Sequence, residues 1–311
     1  MDEVVFLVNP ASANGRTGRD WPAIFDRATA AGIQGRALVS ERAGHIAQLA
    51  QQACEEGAKL VVAVGGDGTV HEAVNGLMHV DPGSRAELSN IPRGTGKDFA
   101  RSSRLPTDVD SALRAIRDGE TRVVDVGRAA YIDWIGKPGE SYFANFAGAG
   151  ISGAIAARAN TSSKAFGGHA SFFFATTAVF MRWHNVQYEV EIDGQRRSGK
   201  MLEVIGSLGD SIAGGMRLTP EADQSDGLLD IVLFGDVTKV DFVLTLPKIY
   251  RGTYLPHPRA ELVRGRHVSI EAASPLPITL DGEHPGKTPA RFEIVPQALR
   301  LRVPGPAPGH D

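Results

Sequence analysis

The fold is decided by the stretch Val61-Val62-Ala63-Val64-Gly65-Gly66-Asp67-Gly68-Thr69-Val70-His71-Glu72-Ala73-Val74-Asn75-Gly76. An apolar, β-branched run ends in a glycine-rich loop, and a helical pattern follows directly. Glycine lets backbone N–H groups approach a ligand closely, and a helix N-terminus carries partial positive charge, so this arrangement favours phosphate binding. Thr69 followed by Glu72 has the spacing of a capping box and predicts the start of the helix.

An acidic residue, Asp67, lies inside this loop. A carboxylate would repel a phosphate unless a cation stands between them, so we expect a nucleotide with Mg²⁺ rather than a bare phosphate. The alternative is a tight turn after a buried strand, for which Gly-Gly-Asp-Gly is equally typical. The loop alone does not decide between the two interpretations.

Strand, loop and helix units recur through the N-terminal part of the chain. Apolar strands are predicted at Val4 to Val8, near Arg36 to Val39 and near Ala86 to Ile91, and an amphipathic helix at Val109 to Arg117. Such a series predicts an α/β fold with a doubly wound parallel sheet. Its loops would meet at the carboxyl ends of the strands, where a nucleotide would bind.

Beyond Gly127 the pattern changes to alternating strands. Residues 188–192 alternate apolar and acidic side chains, and Asp193-Gly194 predicts a hairpin turn. Helical segments are predicted near His169 to Arg182 and near Lys239 to Tyr250. This half therefore reads as an antiparallel β domain.

The composition bounds the class of protein. A length of 311 residues corresponds to two domains, expected over 1–126 and 127–311, and whether the last strands return to the first domain is left open. A net charge of −3 gives no general attraction to nucleic acid, so no nucleic-acid partner is expected. The single Cys54 excludes a disulfide framework. No signal peptide is visible, and the most apolar window, 171–183, is too short to span a bilayer, so we expect a cytoplasmic protein.

Five ordered motifs carry a family resemblance: Asn9-Pro10-Ala11-Ser12, Gly65-Gly66-Asp67-Gly68-Thr69, Pro92-Arg93-Gly94-Thr95 with Asp98-Phe99-Ala100-Arg101, Asp223 with Asp226-Gly227-Leu228-Leu229-Asp230, and Leu280-Asp281-Gly282-Glu283. The sequence resembles the diacylglycerol kinase-like lipid kinase family, which also contains sphingosine and ceramide kinases. The ordered set extends over most of the chain and is more specific than any single loop. It implies an ATP-binding α/β domain similar to those of phosphofructokinase and NAD kinase, followed by a β-sandwich domain.

The resemblance also implies an activity. The γ-phosphoryl group of ATP would pass to a lipid hydroxyl at the cleft between the domains, with diacylglycerol as the expected acceptor and phosphatidate as the product. A sphingoid base or ceramide as the acceptor, and a non-catalytic lipid-binding homologue, remain alternatives. The expected partners are ATP and a lipid substrate at a membrane surface, where the cytoplasmic protein would be peripheral, and a homodimer is left open.

Phosphoryl transfer needs donors for the phosphates, a divalent ion and a base near the acceptor hydroxyl. The resemblance implies Asp67 and Asp281 as catalytic residues, with Asp281 as the general base, although Asp281-Gly282 also predicts an ordinary hairpin turn. The expected contacts with ATP are Asn9, Pro10, Ser12, Ser40, Gly65, Gly66, Asp67, Gly68, Thr69, Glu72 and Thr95. The alternatives are that Ser40 is a polar strand end and that Thr95 only caps a helix.

The resemblance also implies a site for Mg²⁺, formed by Asp223, Asp226 and the backbone carbonyl of Leu228. Hard oxygen ligands suit this ion. The alternative is an acidic turn before a strand.

A basic cluster follows the third glycine loop: Arg93, Lys97, Arg101 and Arg104. It would contact phosphate or an anionic lipid headgroup, or it would be a solvated face. The apolar residues 172–174 and 179–181 would line a lipid-tail pocket or belong to the core. Two positions depart from the family pattern, because Ala13 stands where glycine is common and Lys97 stands where asparagine is usual.

Overall fold

The structure is a computed structural model that describes residues 4–94, 97–161 and 179–305. The chain forms two compact units. The first contains the residues up to 124 together with those from 297 onward, and the second contains residues 125–296.

A parallel sheet forms the centre of the first unit. Its strands are β1 (Val4–Val8), β2 (Gly35–Val39), β3 (Leu60–Gly65) and β4 (Glu87–Pro92). They are ordered β2-β1-β3-β4, and the end of the last strand, β15 (Gly286–Val303), adds in parallel beside β4 through the pair Leu301 and Leu88. Because parallel strands end at the same edge, the loops after β1, β3 and β4 lie at one edge of this sheet.

Five helices accompany this sheet: α1 (Arg16–Ala30), α2 (His45–Glu55), α3 (Asp67–Met78), α4 (Asp98–Ser102) and α5 (Val109–Asp118). Helices α1 and α5 pack against one face, where alternate residues of β1 (Val4, Phe6 and Val8) are buried. Helix α2 contacts β1, α3 contacts β3, and the two helices pack against each other. The predicted doubly wound α/β fold is confirmed.

The second unit is a sandwich of two antiparallel sheets. Its strands are β5 (Glu120–Asp133), β6 (Pro138–Phe143), β7 (Phe146–Gly150), β8 (Val186–Ile192), β9 (Gln195–Met201), β10 (Glu203–Ser207), β11 (Leu229–Phe234), β12 (Ala260–Gly265), β13 (His267–Ala272), β14 (Ile278–Leu280) and the first part of β15. One sheet has the order β15-β13-β8-β9, and the other β12-β11-β10-β7-β14. Tyr188, Ile270 and Phe292 from the first sheet pack with Ala147 and Ile231 from the second, so the predicted sandwich is confirmed.

In the described part of the chain, two helices cover the second of these sheets: α6 (Ile151–Thr161) and α7 (Lys239–Arg251). Ile151 of α6 and Ile249 of α7 are buried in one cluster with Ile205 and Val232 of the sheet. The helix predicted near 169–182 lies mainly outside the described residues. Of this segment the structure describes residues 179–182, which are helical. No helix in the described ranges is long and apolar enough to cross a membrane.

The start of α3 differs from the predicted capping box. The helix begins at Asp67 and has no side-chain cap, so Thr69 is already its third residue. Glu72 instead accepts hydrogen bonds from the backbone N–H groups of Gly44 (3.0 Å) and Ile46 (3.1 Å) at the start of α2. The prediction was wrong because the Glu72 carboxylate serves the unpaired N–H groups of a neighbouring helix.

Helices α2 and α3 approach each other closely at Gly76. A Cβ atom at this position would lie 2.2 Å from the carbonyl oxygen of Ala47 and 2.8 Å from the Cβ atom of Ala50. Neither contact is sterically allowed, so any side chain at residue 76 pushes the two helices apart.

We predict that Gly76→Ala lowers the free energy of unfolding by about 1–3 kcal/mol, because overpacking outweighs the better helix propensity of alanine. Urea denaturation measures this difference. Gly83→Ala is the matched control, because a Cβ atom there meets nothing within 4 Å, and its effect should stay within about 0.5 kcal/mol. Equal stability of Gly76→Ala and the wild type would contradict the close approach.

Candidate functional site

The loops after β3 and β4 touch through their backbones. The N–H group of Arg93 donates to the carbonyl oxygen of Gly65 at 2.7 Å. A Cβ atom on Gly94 would lie 2.7 Å from the Cα atom of Gly66, so a side chain at Gly94 would separate the loops. The Asp67 carboxylate accepts a hydrogen bond of 3.2 Å from the N–H group of Phe99 in α4. Asp67 therefore joins the two loops.

The loop after β1 is tied to the same region. The side-chain amide of Asn9 donates to the hydroxyl of Thr69 at 3.1 Å, and the Ser12 hydroxyl donates to the Asn9 carbonyl oxygen at 3.0 Å. The N–H group of Asn9 donates to Val64 at the end of β3. Three predicted nucleotide contacts, Asn9, Ser12 and Thr69, are thus brought into one hydrogen-bonded network.

The remaining predicted nucleotide contacts lie in different settings. The N–H group of Ser40 donates to the carbonyl oxygen of Val8 at 2.9 Å, which places Ser40 beside the end of β1. The carbonyl group of Pro10 accepts a hydrogen bond from the N–H group of Gly18. Gly68 is the second residue of α3, and Thr95 lies outside the described residues. Both carboxylate oxygens of Glu72 bind the start of α2, as described above.

The basic cluster after β4 is largely compensated within the first unit. The Arg93 guanidinium pairs with Asp20, and the Lys97 ammonium group donates to the carbonyl oxygen of Thr107 at 2.7 Å. Arg101 donates to Asp98 at 2.9 Å. A phosphate bound by these three side chains would have to replace partners that they already have.

The two departures from the family pattern share a backbone conformation. Ala13 has φ of 53° and Lys97 has φ of 58°, both in the left-handed region. Glycine and asparagine adopt this region more easily than other residues do, which explains why the family pattern has them here. The left-handed conformation costs an ordinary residue about 1–2 kcal/mol.

We predict that Ala13→Gly raises the free energy of unfolding by about 1 kcal/mol, because it removes this strain. Chemical denaturation measures the change. The matched control is Ala11→Gly in the same loop, where φ is not positive, and there glycine should lower the stability by about 0.5–1 kcal/mol. The strain would be disproved by a loss of stability in both variants.

In the second unit, Asp281 lies in a tight hairpin turn. Leu280 and Glu283 exchange two backbone hydrogen bonds of 2.8 and 2.9 Å. The two residues between them have positive φ, 51° for Asp281 and 94° for Gly282. The predicted Asp-Gly turn is therefore confirmed.

The same turn directs the Asp281 carboxylate at the backbone between β6 and β7. It accepts hydrogen bonds from the N–H groups of Ala144 (2.9 Å), Asn145 (2.9 Å) and Phe146 (3.0 Å). These donors fix the orientation of the carboxylate. The Asp281 carboxylate is thus anchored to the backbone by three hydrogen bonds.

Asn145 supplies one of the backbone donors to Asp281, and the sequence analysis did not identify it. Its side chain is buried and its amide nitrogen donates to the carbonyl oxygen of Ser211 at 2.9 Å. Its amide oxygen is buried without a hydrogen-bond partner in the part of the chain that the structure describes. An unpaired buried acceptor costs about 1–3 kcal/mol. The available signal was a single polar residue in the apolar run 143–147.

The predicted metal ligands lie in the acidic loop before β11. Asp223 accepts hydrogen bonds from the N–H and hydroxyl groups of Ser225 at 2.9 and 2.7 Å, and Asp226 accepts one from the N–H group of Leu228 at 3.0 Å. These are the hydrogen bonds of an acidic turn. The buried Asp125, which the sequence analysis also missed, accepts a hydrogen bond of 2.7 Å from the N–H group of Gly227 in this loop.

A neighbouring cation, Arg264, occupies part of the carboxylate surface that Mg²⁺ would need in this loop. Its guanidinium lies 3.3 Å from the Asp226 carboxylate and donates to Asp230 at 3.0 Å. Carboxylate and carbonyl oxygens suit Mg²⁺ in kind, but the ion would share Asp226 with Arg264. Among the described residues, no three His, Cys, Asp or Glu side chains cluster as a metal site.

Comparison with family models divides the chain into the same two kinds of domain. Residues 3–129 match the diacylglycerol kinase catalytic domain. Residues 145–303 match the YegS C-terminal NAD kinase beta sandwich-like domain. Together the two matches cover most of the sequence.

Whole proteins of known name are similar over nearly the full chain. The diacylglycerol kinases of Staphylococcus carnosus and Staphylococcus saprophyticus are 28% and 27% identical, each over 96% of this chain and 94% of the relative. The crystal structure of a diacylglycerol kinase from Bacillus anthracis superposes with a TM-score of 0.73 at 23% identity and covers 97% of each chain. Yeast NADH kinase complexed with NADH superposes with a TM-score of 0.54 at 9% identity and covers 98% of this chain and 84% of its own. The two structures support the predicted fold.

Proposed function

Because this chain belongs to the diacylglycerol kinase-like lipid kinase family, and is therefore an ATP-dependent lipid kinase, we propose that its acceptor is diacylglycerol and its product phosphatidate. The similarity of the whole chain to diacylglycerol kinases supports this acceptor. The observation that carries the proposal is the anchored carboxylate of Asp281, which lies in a family motif and is held by three N–H donors.

We assign the binding of ATP to the first unit. The backbone around Gly65, Gly66 and Gly68 would receive the phosphates at the start of α3, where the helix dipole is favourable. Asn9, Pro10, Ser12, Ser40, Thr69 and Thr95 would supply further contacts, while Glu72 would act indirectly by capping α2.

We assign Mg²⁺ to two places. Asp67 would face the ion that accompanies the nucleotide, and this ion would neutralise the phosphate charge. Asp223, Asp226 and the carbonyl group of Leu228 would hold a second, structural ion. This ion would compete with Arg264 for Asp226, because the Arg264 guanidinium lies 3.3 Å from the Asp226 carboxylate.

Asp281 would act as the general base. A lipid hydroxyl is a poor nucleophile at neutral pH, and a fixed carboxylate within hydrogen-bond reach can accept its proton. The hydroxyl oxygen then bonds to the γ-phosphorus, the bond from that phosphorus to the bridging oxygen of ADP breaks, and the proton remains on Asp281. The reaction would take place at the cytoplasmic surface of a membrane, where diacylglycerol resides, and a homodimer remains a hypothesis.

We predict that the protein, incubated with γ-labelled ATP and mixed vesicles of diacylglycerol, ceramide and sphingosine, labels phosphatidate. Thin-layer chromatography and mass spectrometry identify the product. Labelled ceramide phosphate or sphingosine phosphate in place of phosphatidate would show that the acceptor is ceramide or a sphingoid base and not diacylglycerol. Lipid binding without any labelled product would indicate a non-catalytic homologue.

A second Asp-Gly turn provides an internal control for Asp281. Asp193 and Gly194 also have positive φ, 45° and 83°. The Asp193 carboxylate accepts hydrogen bonds from the N–H groups of Arg266 (2.8 Å) and His267 (2.9 Å), just as Asp281 binds backbone donors. The local structure is therefore the same, but Asp193 lies in no family motif.

We predict that Asp281→Asn and Asp193→Asn each lower the free energy of unfolding by about 1–3 kcal/mol, because the amide replaces one acceptor of N–H groups. Only Asp281→Asn should also lower kcat, by about 10²- to 10⁴-fold per folded molecule, with little change in ATP affinity. Denaturation, steady-state kinetics and nucleotide binding measure these effects. Equal kcat in the two variants would show that Asp281 is structural and not the general base.

A further inference from the structure

Helix α7 shows its apolar residues to solvent. Val240, Val243 and Leu244 are 67%, 58% and 69% exposed. Their spacing of three and four residues places them on one face of the helix, and the exposed Pro247 continues that face. The opposite face carries the buried Ile249. A surface helix normally has the reverse distribution, so the outward face of α7 calls for a partner.

Basic side chains border this outward face. Lys239 and Lys248 are exposed and lie to either side of it, and the exposed Arg251 extends it by one turn. The acidic residue of the helix, Asp241, is engaged in a capping box with Thr238. An apolar stripe with cations at its edges is the pattern of a helix that lies in a membrane interface.

The apolar surface extends beyond the helix itself. Met181 is 60% exposed, and its carbonyl oxygen accepts a hydrogen bond from the Lys239 ammonium group. The rings of Phe180 and Phe242 pack in a tilted arrangement with their centroids 4.7 Å apart, which holds residues 180–181 against α7. Exposed apolar side chains from two segments of the chain are therefore held side by side.

We propose that the α7 face, defined as Val240, Val243, Leu244 and Pro247, docks on an anionic phospholipid membrane. The apolar side chains enter the boundary of the acyl chains, and Lys248 and Arg251 meet the phosphate headgroups. The inference rests on the proposed function, because diacylglycerol must be taken from a bilayer. A second copy of this chain fits less well, because a two-fold contact would bring the cations of two α7 helices together.

The test is co-sedimentation with phosphatidylcholine vesicles that contain or lack phosphatidylglycerol. We predict that the wild type binds the anionic vesicles and that added salt weakens binding. The double variant Val243→Asp/Leu244→Asp should bind at least about tenfold more weakly. Val123→Asp/Ile135→Asp is the matched control, because it also places two carboxylates at exposed apolar positions, 42% and 77% exposed, outside α7. Val243→Asp/Leu244→Asp binding like the wild type would overturn the proposal.

Charge reversal tests the basic border separately. Lys248→Glu/Arg251→Glu should weaken binding to anionic vesicles by about tenfold or more. The control Arg196→Glu/Lys200→Glu makes the same change in net charge at exposed positions of the hairpin of β8 and β9 and should bind like the wild type. An equal loss of vesicle binding in both variants would show that net charge alone causes the effect and would overturn the assignment to α7.

Kinase assays separate this inference from the proposed function. The loss of activity in Val243→Asp/Leu244→Asp should be at least about tenfold greater on vesicles than on short-chain diacylglycerol dissolved as monomers. A wild type that binds vesicles through α7 but phosphorylates neither substrate would support the surface and refute the proposed acceptor. A dimer that Val243→Asp/Leu244→Asp dissociates, with vesicle binding unchanged, would assign the face to self-association and overturn the proposal.

Discussion

The arrangement of the loops after β3 and β4, to which we assign nucleotide binding, depends on one backbone contact, the approach of Gly66 to Gly94. Two adjacent parallel strands bring their loops to the same edge, and only residues without a Cβ atom let those loops touch. The contact permits the Asp67 carboxylate to reach the start of α4 at Phe99. The glycines are therefore a steric requirement of the loop arrangement itself, in addition to the role toward phosphate that we propose for them. Asp67 correspondingly has a structural contact in addition to its proposed role toward Mg²⁺.

In the second unit, backbone contacts likewise hold an aspartate of a family motif. Asp281 closes a hairpin and fixes its carboxylate with backbone donors, and Asp193 does the same elsewhere in the sandwich. An Asp-Gly pair therefore predicts the turn without identifying a catalytic group. What distinguishes Asp281 is its surroundings, namely the family motif and the buried amide oxygen of Asn145, which has no hydrogen-bond partner among the described residues. The proposed chemistry comes from the environment that the fold supplies to a common local structure.

The sequence predicted the parallel strands from continuous apolar runs and the antiparallel half from alternating apolar residues, and it also predicted α7. The capping interpretation of Glu72 failed because its partners, Gly44 and Ile46, come from another helix. Asn145 was missed because its burial and its contacts depend on distant segments. The site assignments remain predictions, since spacing identifies the motifs but not the partners that each side chain meets.

The last strand, β15, carries a consequence for biosynthesis. The sheet of the first unit receives its strand beside β4 from the chain after residue 297, whereas β1 to β4 are all made before residue 93. A ribosome therefore releases the first four strands with the edge of β4 uncovered while the whole second unit is synthesised. Exposed strand edges pair readily with other chains. Nascent chains of this kinase are accordingly exposed to aggregation until translation is nearly complete, and premature termination before β15 leaves that edge permanently open.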